Sequence, residues 1–244
     1  MTWDGMKVLA VIPARGGSKG IPRKNLRQVG GISLIGWAAK CAHALSWIDA
    51  VVLSTDDEEM AAEGRAQGLE VPFLRPPEFA TDVADAIGMW RHAWLESERA
   101  FGQRFDLSIL LQPTTPLRNP ADVERTLRAL VEGGHRSATT VSPVPGHFTP
   151  EKTLRRDDRG RLSYYLAEGA RHSNRQSIPD YCHRNGICYA VDRETLVDCG
   201  RIIADDCVGV MVEGFVVNID EPIELELAEF MFERQRRAGS IEGE

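Results

Sequence analysis

The sequence predicts an α/β fold: a doubly wound, mostly parallel sheet with helices on both faces. Three observations predict it. Short apolar runs rich in β-branched residues alternate with longer segments of helical periodicity. Each short run has the near-continuous hydrophobicity of a strand buried on both faces. A polar loop, residues 13–25 (PARGGSKGIPRKN), leaves the first run at the edge where open sheets of this kind bind ligands.

The elements follow in order. Residues 7–12 (KVLAVI) read as the first strand. From Ser33, SLIGWAAKCAHAL has helical spacing, and from Asp49, DAVVLSTDD returns as a second buried strand, completing a β-α-β unit. A helix from Asp57 opens on acids and stops at Gly68, as the helix dipole and a glycine terminus require. The apolar run VPFL (71–74) is next, then a long helix from Asp82 and the strand DLSILLQ from Asp106. The helix from Asn119 has an Asn cap, a Pro in its first turn and glycines at its end, and SATTVSPV from Ser137 is strand-like. Over approximately residues 145–176 the rhythm fails: the segment is polar, turns at DDRG from Asp157 and carries the adjacent Tyr164 and Tyr165. It reads as an insertion, either a mobile lid or a β-ribbon arm reaching a second subunit, with the tyrosines favouring a packed arm. The core pattern resumes at Gly186 and Val208, and a last helix starts at Glu221 and Pro222 and ends on arginines. The 244 residues are thus expected to form one domain with one insertion.

Composition narrows the function. The chain has 36 acidic and 29 basic residues, a net charge of −7, which argues against general affinity for nucleic acid or an anionic membrane. No apolar run approaches a membrane span and MTWDGMK lacks the pattern of a signal peptide, so a cytoplasmic protein is expected. The 5 cysteines contain no Cys-x-x-Cys pair, so neither a disulfide framework nor a structural zinc site is expected.

Positive charge is instead concentrated in the 13–25 loop. Gly16 and Gly17 let backbone N–H groups converge on an anion, and Arg15, Lys19, Arg23 and Lys24 can neutralise several phosphate charges. Asn25 adds a donor for a ribose or phosphate oxygen. The spacing matches neither the P-loop nor the dinucleotide-binding fingerprint. At the second strand–loop junction, Gln112 ends a buried strand and two prolines stiffen the loop after it.

The loop resembles the signature of the acylneuraminate cytidylyltransferases, which activate sialic-acid-type sugars as CMP conjugates. The similarity continues in LSTDD (53–57), FLRPPEFATD (73–82), LLQPTTPLR (110–118), NRQSIPDYCHRNGICY (174–189) and NIDEPIELELAE (218–229). These blocks stand in the family's order across nearly the whole chain. The resemblance implies a fold of the nucleotide-diphospho-sugar transferase type with a dimerisation arm, and CTP and a sugar acid as substrates. It implies that residues Ala14, Arg15, Gly16, Gly17, Ser18, Lys24 and Asn25 hold the triphosphate, with Arg15 and Lys24 as charge clamps, and that Arg75 and Ala80 face the cytosine. Gln112, Lys152, Arg175, Arg184 and Asn185 would contact the acceptor, with Arg175 the bidentate partner of its carboxylate. A surface ion pair is the other reading of Lys152. Mg2+, or another divalent cation, would be met by Asp220 with Asn218. Here the chain departs from many relatives, which carry Asp-x-Asp where it has Asn218-Ile219-Asp220. A second departure is DVADA (82–86), where relatives have hydroxyl residues. The resemblance leaves the acceptor open among sialate, legionaminate, pseudaminate, other keto-deoxy sugar acids and a phosphonate. It also leaves open a catalytically silent nucleotide-binding relative.

Overall fold

The structure, a computed structural model, describes residues 3, 5–81, 85–167, 169 and 178–239. Its elements in chain order are β1 (Val8–Pro13), β2 (Gln28–Val29), β3 (Ile32–Ser33), α1 (Leu34–His43), β4 (Ala50–Ser54), α2 (Glu58–Ala66), α3 (Ala86–Phe101), β5 (Leu107–Leu110), α4 (Pro120–Glu132) and β6 (Ser137–Pro143). Then come β7 (Leu154–Arg156), β8 (Leu162–Tyr164), β9 (Cys182–Asp192), one π turn (Glu194–Asp198), β10 (Val208–Met211) and α5 (Pro222–Arg237). The central sheet has six strands in the order β10-β6-β9-β5-β1-β4.

The chain divides into two compact units, one of Met1–Thr140 with Asn185–Glu244 and one of Val141–Arg184. In the first, β1 pairs in parallel with β4 on one side and β5 on the other. Its residues alternate between two cores, as the period of a doubly covered strand requires. Val8, Ala10 and Ile12 join Ile35, Met60 and Leu127, whereas Leu9 and Val11 join Met89, Trp90, Trp94 and Phe105. A third cluster seats Phe232 of α5 on Trp37 of α1 beside the β2–β3 hairpin.

The helix starts are set by local capping chemistry. Ser33 Oγ accepts from Gly36 N–H at 2.9 Å, Asp57 Oδ1 from Glu59 and Met60 N–H at 3.0 Å each, and Asn119 Oδ1 from Ala121 N–H at 3.0 Å. α3 begins at Ala86 with Asp85 as its cap, later than the sequence pattern suggested; residues 82–84 lie outside the described set. Residues 71–74 form no strand: only Glu70 bridges to Val52, and Pro72 has no N–H to extend a ladder.

β9 is antiparallel to β5, pairing Leu107 with Asp192 and Leu110 with Tyr189. It also runs opposite to β6, since Asp192 N–H bonds Arg136 C=O while Cys188 N–H bonds Thr140 Oγ1. Parallel neighbours need a crossover helix, and the chain between β6 and β9 provides the 141–184 unit in place of one.

That second unit contains the β7–β8 hairpin, with Leu154 opposite Tyr164 and Arg156 opposite Leu162. Asp157 Oδ1 closes its turn by accepting the N–H groups of Arg159 and Arg161. Phe148, Leu154, Leu162, Tyr164 and Tyr165 are all exposed. Among the described residues, no helix is long and apolar enough to cross a membrane.

Candidate active site

In the parallel pair of β1 and β4 the last register partners are Pro13 and Ser54, so both strands deliver their carboxyl ends to one edge. Ala14 N–H extends the ladder by one bond to Ser54 C=O at 2.9 Å, and the cationic loop then leaves the sheet. The buried Asn25 folds the loop back on itself by donating from Nδ2 to Arg15 C=O at 3.3 Å. Gly16 N–H is held by Asp56 Oδ1 at 3.0 Å. Arg23, in the left-handed region at φ 54°, turns to Asp57 at 3.0 Å and Glu59 at 2.6 Å. Its charge therefore ties the loop to the start of α2, and Arg23 does not line the cavity described next.

That cavity, about 510 Å³, opens above the sheet edge. Arg15, Lys19, Lys24 and Arg75 supply cations on its walls; Pro13, Ala86, Met89 and Leu110 supply an apolar surface; Gln112, Thr114, Asp220 and Glu221 complete it. Arg15 Nη1 donates to Thr81 C=O at 3.0 Å. Arg75 is buried, with Nε on Ser54 Oγ at 3.1 Å and Nη2 on the Ser54 carbonyl. Burial pulls its guanidinium down to about 10, against the opposing effect of Asp56 and with a further push from the Arg15 charge. It remains cationic at neutral pH.

Opposite the loop, Ile219 is buried and its N–H bonds Thr114 C=O at 2.7 Å, which leaves Asn218 and Asp220 exposed on either side of it. Lys24 Nζ lies 2.7 Å from Asp220 Oδ1, with the lysine side chain 14% and the carboxylate 65% exposed. Gly20 packs so closely on the Asp220 carbonyl that a Cβ there would overlap it. Glu224 Oε2 accepts from the N–H groups of Asp220 at 2.7 Å and Glu221 at 2.8 Å, fixing the turn into α5.

Gln112 sits at a second crossing point. A Cβ on Gly186, whose φ is +81°, would come within 2.9 Å of both Gln112 Oε1 and Thr115 Oγ1 and 3.8 Å of Asn218 Oδ1. The Thr115 hydroxyl is buried and has no partner among the described residues. Behind this loop Arg118 is buried, donating from Nε to Thr115 C=O at 3.0 Å, from Nη1 to Ile187 C=O at 3.1 Å and from Nη2 to Gln112 C=O.

Of the residues expected at a site, the cavity brings together Arg15, Ser18, Lys24, Asn25, Arg75, Gln112 and Asp220. Ala14, Gly16, Gly17, Ala80, Asn185 and Asn218 do not line it. The carboxamide oxygen of the buried Asn185 accepts from Thr140 Oγ1 at 2.6 Å and Ile187 N–H at 3.2 Å. Lys152 and Arg184 belong to the second unit, and Arg175 lies outside the described residues. Sequence reasoning missed Met89, Thr114 and Glu221 as lining residues, and it missed Arg118, whose carbonyl partner Ile187 is distant in the chain.

Among the described residues, no three His, Cys, Asp or Glu side chains are grouped to hold a metal ion. Asp220 and the Asn218 amide are hard oxygen donors flanking one buried residue of an extended segment. Such a donor set fits a divalent cation that keeps phosphate and water ligands, not an all-protein cage.

The chain is similar to known proteins. The family model described as Cytidylyltransferase matches residues 9–166. The chain is 29% identical over 244 residues to the CMP-N,N'-diacetyllegionaminic acid synthase of Legionella pneumophila, covering 96% of this chain and 99% of that protein. It is 31% identical over 225 residues to N-acylneuraminate cytidylyltransferase B of Danio rerio, covering 90% of this chain and 50% of that protein. A solved structure of CMP:2-keto-3-deoxy-manno-octonic acid synthetase complexed with CTP superposes with a TM-score of 0.70 at 19% identity, covering 94% of this chain and 99% of that one. Its likeness bears on the fold alone. With that fold, a cationic loop at the sheet edge and a family match over more than half its length, the chain belongs to the cytidylyltransferase family, enzymes of nucleotidyl transfer to sugar acids.

Proposed function

We propose that the protein transfers CMP from CTP to the anomeric hydroxyl of a nonulosonic, sialic-acid-type sugar acid in the cytoplasm. The hydroxyl oxygen bonds to the α-phosphorus, the bond to the bridging β-phosphate oxygen breaks, pyrophosphate leaves, and the hydroxyl proton is released. One observation carries this reading: four cations and Gln112 line one cavity with an apolar wall at the carboxyl edge of the sheet. Transfer of this type is catalysed by positioning and by neutralising charge, which those cations supply. Arg15, Lys19 and Lys24 take the phosphates, while Arg75 and the apolar wall take the nucleoside. Gln112 contacts the acceptor. Asp220, with Asn218, would hold Mg2+, which when bound supplies charge neutralisation at the phosphates.

The acceptor class rests on the relatives, whose names include legionaminate, pseudaminate and N-acylneuraminate enzymes. Pyrophosphate release is to be measured with CTP, Mg2+ and a panel of N-acetylneuraminate, N,N'-diacetyllegionaminate and pseudaminate. Release with one acid and not with buffer supports the reading. Tight CTP binding with no release for any acid favours a silent nucleotide-binding relative, the reading that Asn218 supports.

The exposed Leu154, Leu162 and Tyr164 share one face of the β7–β8 hairpin with Arg156, because directly paired and alternate residues point the same way. An isolated two-stranded hairpin with an apolar face is marginal in water. A second copy of the chain covering that face, giving a homodimer, is part of the proposal.

A further inference from the structure

We propose that Arg118 and Gly186 act as a positioning pair for Gln112: the arginine fixes its main chain from behind, and the glycine leaves room for its carboxamide in front. The inference rests on the reading of Gln112 as an acceptor contact.

Arg118 lies under the 112–118 loop with its guanidinium buried, and among the described residues its hydrogen bonds go to main-chain carbonyls. Two of these, Gln112 and Thr115, are in the loop, and the third, Ile187, is on β9 immediately after Gly186. A buried cation with no carboxylate is expensive, and removing it leaves three carbonyls to find other donors. Among the described residues no carboxylate is hydrogen-bonded to it. The neighbouring Cys41 thiol is pushed up to about 11 by burial, and burial also pushes up the Cys188 thiol, so both are neutral. A planar fork with several fixed donors satisfies three carbonyls at once, which the single ammonium of lysine does not reproduce.

The same fork locks the loop to β9, and with it the distance from Gln112 to Gly186. A methyl group on Gly186 would meet Gln112 Oε1 and Thr115 Oγ1 at 2.9 Å, inside ordinary van der Waals contact. The carboxamide therefore lies over a bare α-carbon, beside Asn218 Oδ1. The cations assigned to nucleotide reside on the 13–25 loop and at Arg75, outside this pair. Disturbing the pair should move acceptor recognition while leaving nucleotide recognition in place.

The test uses the full chain and compares Gln112→Ala, Arg118→Lys, Gly186→Ala and the double variant Gln112→Ala with Arg118→Lys. The acceptor is the most active of N-acetylneuraminate, N,N'-diacetyllegionaminate and pseudaminate. Arg118→Lys and Gly186→Ala are each expected to raise acceptor KM about tenfold or more while leaving CTP KM within about twofold. The double variant is expected to be no worse than Gln112→Ala alone. A role in general folding would instead lower the active fraction, seen as reduced kcat at unchanged KM. If Gln112→Ala raises acceptor KM and Arg118→Lys does not, the positioning inference is overturned and the acceptor-contact reading stands. If Gln112→Ala leaves acceptor KM unchanged, that reading fails and the inference with it. Hydrogen exchange in the ligand-free protein gives a readout without turnover. Arg118→Lys should speed exchange over residues 112–118 and 185–188 and spare residues 15–25, and unchanged protection of the first two segments overturns the inference.

Discussion

Lys24 is the cation most closely engaged with the opposite wall, since its ammonium meets Asp220 at 2.7 Å. On the proposed reading, replacing it with alanine removes one phosphate partner, and it frees the carboxylate. Lys24→Ala is therefore expected to lower kcat/KM for CTP about a hundredfold, the scale of losing one preorganised charge-stabilising donor. Steady-state kinetics checks this, and near-normal turnover would displace Lys24 from the machinery. Asn218 tests the other side of the cavity. Its amide oxygen carries no net charge, so Asn218→Asp adds a carboxylate next to the one at Asp220. The variant is expected to reach half-maximal rate at lower Mg2+, measured by titrating the metal at saturating CTP. An unchanged metal curve would remove Asn218 from the metal proposal.

Among the elements, α5 carries the site through its first turn. Glu221 and Glu224 form a reciprocal capping box, and Glu224 also holds the main chain of Asp220. Glu224→Ala is expected to cost about 1 kcal/mol, or a fall in Tm of roughly 2–4 °C for a chain of this size, and to raise the Mg2+ requirement. A thermal melt and a metal titration check both. In α3, His92 packs edge-on against Phe73 and tilted against Phe79, with ring centroids at 5.4 and 5.1 Å, and its buried Nδ1 has no partner among the described residues. Burial lowers its proton affinity; Glu96 and Glu78 oppose the shift and Arg75 and Arg99 add to it. A histidine whose folded pKa lies below its unfolded one binds fewer protons when folded, so stability rises with pH across that window. Acidification through about pH 6.5, the ordinary histidine value, should therefore lower Tm more in the wild type than in His92→Gln. Equal pH slopes in the two proteins would count against it.

These elements also show what could be read from the sequence. Ser33, Asp57 and Asn119 mark helix starts because a cap is satisfied within three residues of itself. The cationic loop was legible because charge and glycine are properties of the residues themselves. The reversal of β9 was not, since strand direction is set by the connection before it and not by composition. Arg118 was missed for a related reason: its carbonyl partner Ile187 is 69 positions away. Arg23 was assigned to phosphate on charge alone, and only the fold shows the acids of α2 that hold it.

At the scale of the whole molecule, a chain with seven surplus negative charges places four cations, Arg15, Lys19, Lys24 and Arg75, on the walls of one cavity. The apolar hairpin face is the other large-scale feature. Light scattering is expected to give twice the mass of the chain, and Leu162→Glu with Tyr164→Glu is expected to return the monomer mass with the fold intact. A wild-type monomer at micromolar concentration would end the dimer proposal.

The Lys24–Asp220 pair spans 196 positions of sequence, and Ile219 is tied to Thr114, beyond the end of β5. During synthesis from the N-terminus, a chain made as far as β10 would hold the basic loop but lack the opposite wall. Such contacts close late because their loop entropy is lost before they reward it. The two walls of the cavity therefore meet only once residues 219–220 have been made and have joined the sheet edge.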